Sequence, residues 1–211
     1  MMSSKALEWL ADAARPAELE RDLRALVDIS SHTSDRAGTT AVAACYEAQL
    51  RALCPSGALR ITRTPSARFG DHLVARTEAA GPLILLVGHH DTVFPAATFS
   101  GYREDGALLR GPGVLDMKGG LTVIAHALSA LDHAGVLAEL PLAVVSVADE
   151  EVGSPEGRAV LLALCAGARA ALVFESGRKG DQIITQRKGT GAVNVRAHGK
   201  AAHAGNLHHE G

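Results

Sequence analysis

Two stretches limit what this chain can fold into more than any other feature: "PLILLVGH", ending at His89, and "PLAVVSVADE", ending at Glu150. Both run apolar through successive positions, so an extended strand built from either has no polar face. Only a sheet covered on both sides accommodates such strands, and both are expected at its centre. Another strand is expected in "ARAALVFES". Helical spacing lies between them. From Met117 onward, Leu121, Ile124, Ala125, Leu128 and Leu131 recur on one face until Gly135, and "GSPEGRAVLLALCAG" carries Pro155 in its first turn. Strands alternating with helices predict an α/β fold, a mostly parallel sheet flanked by helices.

Upstream, Pro16 opens a helical stretch that places Leu19, Leu23, Leu26 and Val27 on one face, and "GTTAVAACYEAQLRAL" reads as a second helix closed by Cys54 and Pro55. "ALRITRT" and "HLVARTE" read as short strands, and "YREDGALLRG" as a hairpin around an Asp-Gly turn. After Gly180 the pattern changes to two consecutive strand-like segments, "DQIITQRKG" and "GAVNVRAHG". A domain boundary is therefore expected there, with residues 1–180 in one domain and 181–211 opening a smaller one.

Charge excludes some partners. The formal net charge is -2 without a long basic run, so neither nucleic acid nor an anionic membrane surface is an expected partner. The N-terminal stretch is broken by charges and lacks the apolar core of a secretory signal, and no apolar run approaches the length that spans a bilayer. The three cysteines, Cys45, Cys54 and Cys165, have no C-x-x-C spacing and read as reduced thiols. A cytoplasmic location is the expectation.

The chemistry sits where the strands end. His89 and Asp91 follow "LILLVG", Glu150 and Glu151 follow "LAVVSVAD", Glu175 follows "AALVF", and Asp116 stands in the glycine-rich "GPGVLDMKGG". Taken singly, each is most often a turn or loop residue. Together they would meet in the crevice that open α/β sheets form at the carboxyl ends of their strands. So many carboxylates cannot all stay ionised side by side, and no Lys or Arg occupies a matching strand end. One or two divalent metal ions supply the missing charge. One imidazole among several carboxylates suits zinc, cobalt or manganese better than calcium or magnesium.

In their order and approximate spacing, "GHHDTVFP", "GPGVLDMKGG", "ADEEVGS", "VFES" and "HGKAAHAG" resemble the M20 metallopeptidases, and most closely the glutamate carboxypeptidase-like branch. The resemblance covers residues ~60 to 211. It implies that His89 and Glu175 bind one metal, that Asp116 bridges two, and that Glu151 binds the second. It implies Glu150 as the base that activates water, Asp91 as the carboxylate orienting His89, and a cis peptide between Asp116 and Met117. His203 matches a lid-domain histidine that polarises the scissile carbonyl, typically across a homodimer. The implied cofactors are two divalent ions, zinc foremost, and the implied substrate is a small peptide or N-acyl amino acid cleaved beside a free carboxylate.

His90 occupies the variable position of H-x-D and is not expected to be a ligand. Arg187 and Lys188 are weak candidates for meeting a substrate carboxylate, and Asn206, His208 and His209 are weaker still. Family members continue for about as much sequence again, completing the lid and adding the second metal's histidine. The second site is therefore expected to be incomplete in this chain. The alternative to an active hydrolase is an inactive metal-binding remnant, or one half of a split enzyme. A two-zinc aminopeptidase of another family is a further alternative.

Overall fold

The direction of each strand follows from what connects it to the next. The computed structural model describes residues 4–12, 15–99, 101–177, 180, 182–189, 191, 193–196 and 198–211. The first elements are helices: α1 (Ser4–Leu10), α2 (Arg15–Val27) and α3 (Arg36–Leu53). Strands β1 (Arg60–Thr64), β2 (His72–Arg76) and β3 (Leu83–His89) follow, and then a small β4 (Arg103–Asp105) and β5 (Leu108–Arg110) hairpin. The remaining elements are α4 (Gly119–His133), β6 (Leu142–Val147), α5 (Gly157–Cys165) and β7 (Ala168–Val173). The main sheet has the order β1-β2-β6-β3-β7.

β6 and β3 are both interior, as their two apolar faces require, and β6 is buried along its whole length. The sheet is mixed. β3 runs parallel to β6 and to β7, because α4 and α5 provide the crossovers that parallel strands need. β1–β2 and β2–β6 are antiparallel, because only short loops without a helix join β1 to β2 and β2 to β3.

Helices cover both faces. On one, Leu26 of α2, Val42, Tyr46 and Leu50 of α3, and Leu121, Ile124 and Leu128 of α4 pack on Leu73, Leu86 and Val144. On the other, Val160, Leu161 and Leu164 of α5 lie over Val74, Val145 and Val147. The Asp35 carboxylate caps α3 by accepting the Gly38 N–H at 3.0 Å. The stretch Val114–His133 is long and apolar enough by composition to cross a membrane, but 56% of its apolar 18-residue window is buried inside the fold. It is a core helix, and Tyr46 donates to its Leu121 carbonyl at 3.0 Å.

Two features depart from the local sequence signals. α1 forms where charges interrupt the pattern, because Trp9 packs against His126 and His133 of α4 with the Arg15 guanidinium 4.1 Å from its ring. Downstream, the described residues of the two strand-like segments form no ladder, and Ile183, Val193 and Val195 are exposed. A strand pattern becomes a strand only when a partner satisfies its backbone, and among the described residues of this stretch none does. The chain divides into two compact units, Met1–Ser176 and Gly177–Gly211. Residues 178, 179 and 181, at the boundary read from the sequence, lie outside the described residues.

Candidate metal centre

Because β6, β3 and β7 are parallel neighbours, their carboxyl ends open on the same edge of the sheet. His89 closes β3 opposite Val147, the last residue of β6. Glu150 and Glu151 start the short helical turn that follows β6, and Glu175 stands two residues beyond β7. Asp116 arrives from a fourth direction, in the turn Val114–Lys118 that leads into α4. Its peptide to Met117 is cis. Two glycines let this turn press against the sheet. Gly113 has φ +79, where a Cβ would sit 2.9 Å from Thr92 Cγ2, and a Cβ on Gly120 would meet the Phe174 carbonyl oxygen at 2.1 Å.

The result is one imidazole ringed by carboxylates. His89 Nε2 lies 3.1 Å from Asp116 Oδ1, 3.5 Å from Glu175 Oε1 and 3.8 Å from Glu150 Oε2. Two groups have their ligand atoms within 4.8 Å of one another: His89 with Glu150 and Glu175, and His89 with Asp116 and Glu151. His89 is buried, whereas Asp116 and Glu150 reach the surface, so the cluster has a protein-lined floor and an open mouth.

Behind the imidazole, Asp91 is wholly buried and serves several partners. Its Oδ1 lies 3.2 Å from His89 Nδ1 and accepts the Glu150 N–H at 3.1 Å. Its Oδ2 accepts the Glu151 N–H at 3.2 Å and the Thr33 hydroxyl at 2.7 Å. The same Nδ1 lies 3.1 Å from the Asp91 backbone carbonyl oxygen. In the neutral ring, an Nδ1–H directed at Asp91 leaves the Nε2 lone pair facing the carboxylates, the tautomer a metal ligand needs.

Electrostatics shows how crowded the acids are. Burial, then the charges of Asp116, Asp91 and Glu150, push the Glu151 carboxyl up to about 7 against the pull of His89. Glu175 is raised as well, by burial first and then by Asp116 and Glu150. Burial alone would lower His89, but the hydrogen bond and charge of Asp91 and the charges of Glu175 and Glu150 outweigh it and carry it to about 9. Two like charges 4 Å apart repel by about 4 kcal/mol at an effective dielectric constant of ~20. Without a cation, the cluster must therefore hold protons that it would release on binding one. Oxygen-rich donors around one imidazole fit a zinc-, manganese- or cobalt-type divalent ion.

Six of the residues singled out in the sequence meet here: His89, Asp91, Asp116, Glu150, Glu151 and Glu175. His203 belongs to the second unit, where its Nδ1 accepts the N–H groups of Gly205 and Asn206 at 3.2 Å. His90 turns away from the cluster, with its Nδ1 2.8 Å from Ser146 Oγ. Three residues at the site, Thr33, Asp149 and Lys118, were not singled out from the sequence. Asp149 is buried, and its Oδ2 accepts the N–H groups of Glu156 and Gly157 at 2.7 and 2.9 Å, tying the loop that carries Glu150 and Glu151 to α5. Lys118 is buried with its Nζ donating to the Ile29 carbonyl at 2.9 Å, and burial pushes it down to about 8.

A helix-flanked sheet with an imidazole and carboxylates at its strand ends defines an α/β protein with a candidate metal centre. The model of Peptidase family M20/M25/M40 matches residues 85–203, and the chain belongs to that family. It is 34% identical over 191 residues to carboxypeptidase G2 of Pseudomonas sp. (strain RS-16), covering 88% of this chain and 45% of that protein. It is 33% identical over 153 residues to succinyl-diaminopimelate desuccinylase of Methylorubrum populi, covering 65% of this chain and 39% of the relative. The chain thus spans less than half the length of these curated relatives. Its fold resembles human carnosine dipeptidase 1 (TM-score 0.66, 17% identity, 81% of this chain and 40% of that one). It also resembles an M20 family metallo-carboxypeptidase from Sulfolobus solfataricus (TM-score 0.63, 15% identity, 76% and 38%).

Proposed function

We propose that this chain carries the metal-binding part of an amidohydrolase that cleaves an amide bond beside a free carboxylate, in a small peptide or an N-acyl amino acid. The observation that carries the reading is His89 Nε2 lying within 3.1 to 3.8 Å of three carboxylates. Family membership and similarity to proteins named as a carboxypeptidase and a desuccinylase support the same reaction class. In this reading residues 1–180 belong to the catalytic domain and residues 181–211 begin a lid, in a cytoplasmic homodimer.

His89, Asp116 and Glu175 would hold one ion, and Asp116 with Glu151 a second, zinc being the metal proposed. A divalent ion held there supplies positive charge against the carboxylates and Lewis-acid polarisation of an amide carbonyl. Glu150 has an exposed carboxylate at the mouth of the cluster. It accepts a proton from the attacking water and delivers it to the departing amine nitrogen. Asp91 holds the His89 ring, and His203 donates to the carbonyl oxygen as charge develops on it.

A second reading is favoured by one feature: among the described residues, both metal-competent groups share His89 as their single imidazole. Two ions would compete for it, so one should bind tightly and the other weakly, with full turnover requiring donors from elsewhere. Zinc titration of the purified chain, followed by assay against N-acyl amino acids and glutamyl peptides, separates the readings. One tight zinc with little hydrolysis fits the second reading, and two zincs with rapid hydrolysis fit the first. A chain that binds no zinc would defeat both.

A further inference from the structure

The loop of residues 29–35, just ahead of α3, is stitched to the segment that follows His89 and to the turn that carries Asp116. The Thr92 N–H donates to the Ser31 carbonyl at 2.8 Å, and the Thr33 N–H donates to the Thr92 carbonyl at 3.1 Å. On the other side, Lys118 Nζ donates to the Ile29 carbonyl, two residues beyond Asp116. Within this bracket Thr33 is 3% exposed, and its hydroxyl donates to Asp91 Oδ2 at 2.7 Å. The other oxygen of that carboxylate faces His89 Nδ1 at 3.2 Å, and the Asp91 carbonyl oxygen shares the same Nδ1 at 3.1 Å. Hydroxyl, carboxylate and imidazole therefore stand in series, and the series ends at the Nε2 atom that meets Asp116, Glu150 and Glu175.

A carboxylate held only by backbone N–H groups can still tilt about its Cβ–Cγ bond. A side-chain donor fixed to the bracketing loop gives Oδ2 a directional partner and leaves Oδ1 aimed at the imidazole. Hydrogen bonds to an ionised acceptor are short and about twice as strong as neutral ones, so this contact is suited to setting the carboxylate plane. Partners that orient a ligating histidine govern how well it binds metal.

We propose that Thr33 is a positioning residue of the metal centre: its hydroxyl fixes the Asp91 carboxylate, which together with the Asp91 carbonyl holds the ring of His89. The inference rests on the reading of His89 as a metal ligand. The Thr33 hydroxyl donates to Asp91 and acts through it.

Three variants of the full chain test it. Thr33→Ser keeps the hydroxyl, Thr33→Val keeps the shape without it, and Thr33→Ala removes both. The readouts are zinc affinity by competition with a chromophoric chelator, the visible absorption of the cobalt-substituted protein, and the melting temperature in chelator. Thr33→Val should bind zinc about 10-fold more weakly than wild type, with Thr33→Ser within about 3-fold, as partners of ligating histidines behave. The cobalt spectrum should shift in the valine variant and not in the serine variant. Equal zinc affinity in wild type and Thr33→Val would overturn the proposal, as would a serine variant as weak as the valine one. If Thr33→Val does not fold, Thr33→Ala is held to the same criterion. If neither folds in chelator while Thr33→Ser does, Thr33 is a structural residue and the proposal falls. Failure of the wild type to bind zinc would instead remove the metal-centre reading itself.

Discussion

The Asp91 carboxylate accepts the backbone N–H of Glu151 at 3.2 Å, so the residue behind the imidazole also anchors the turn that carries two of the acids. One buried side chain thereby sets the distance between the end of β3 and the turn after β6. Asp91→Asn should disturb both relations at once, because an amide presents one oxygen and one NH2 where two oxygens now accept. Zinc affinity is expected to fall about 10- to 100-fold by chelator competition. The metal-free protein should lose about 2–3 kcal/mol in denaturant unfolding, from charge-assisted bonds left unmade.

Glu150→Gln separates binding from turnover. The amide keeps an oxygen donor at the mouth of the cluster but cannot accept the proton from water. Zinc affinity should change by less than about 3-fold, while any hydrolysis the wild type shows should fall by ~10²–10⁴-fold, the usual contribution of a general base. Near-wild-type turnover in this variant would show that another group is the base.

The pH dependence of metal-free stability follows from the crowding. Glu151 titrates at about 7 in the fold, above the ordinary carboxylate range, so the folded state holds a proton that the unfolded chain has lost. Stability should therefore fall as pH rises from the carboxylate range through about 7. His89 adds to the trend, since its contribution is complete below its ordinary value near 6.5 and is lost as pH rises through about 9. Asp91, held below the usual carboxylate range mainly by His89 and Thr33 against the push of burial, works the other way and only in acid. Thermal melts in chelator should show declining melting temperature from about pH 5 to pH 9. Saturating zinc should flatten that slope, and zinc uptake below about pH 7 should release protons measurable by calorimetry in buffers of different ionisation enthalpy. A zinc-free protein whose stability rises across this range would contradict the electrostatic account.

Asp149 offers a mutation that spares every donor. Its Oδ2 caps the start of α5 through two N–H groups. Asp149→Ala should cost about 1–2 kcal/mol, as loss of a helix-capping side chain does. Asp149→Asn, which can keep an acceptor oxygen in place, should cost less. Hydrogen exchange at Glu156 and Gly157 is the direct measurement, and protection unchanged from wild type in the alanine variant would refute the capping role.

The sequence alone determined those features that local patterning encodes. Unbroken apolar runs marked β3 and β6 as interior strands, helical spacing marked α2 to α5, and ionisable residues at the strand ends marked His89, Asp91, Glu150, Glu151 and Glu175. The same runs did not reveal that half the ladders of the main sheet are antiparallel, because pairing partners are chosen by connections and packing across the sheet. Nor did they reveal α1, which depends on Trp9 finding a place on α4. Tertiary structure decided which oxygens face His89 Nε2, which acids are raised, and which hydroxyl stands behind Asp91. Thr33 and Asp91 are 58 residues apart in the chain and 2.7 Å apart at their side chains. Hydrogen bonds and pKa shifts act over a few ångströms, so what they favour is fixed only once distant segments have been brought within that range.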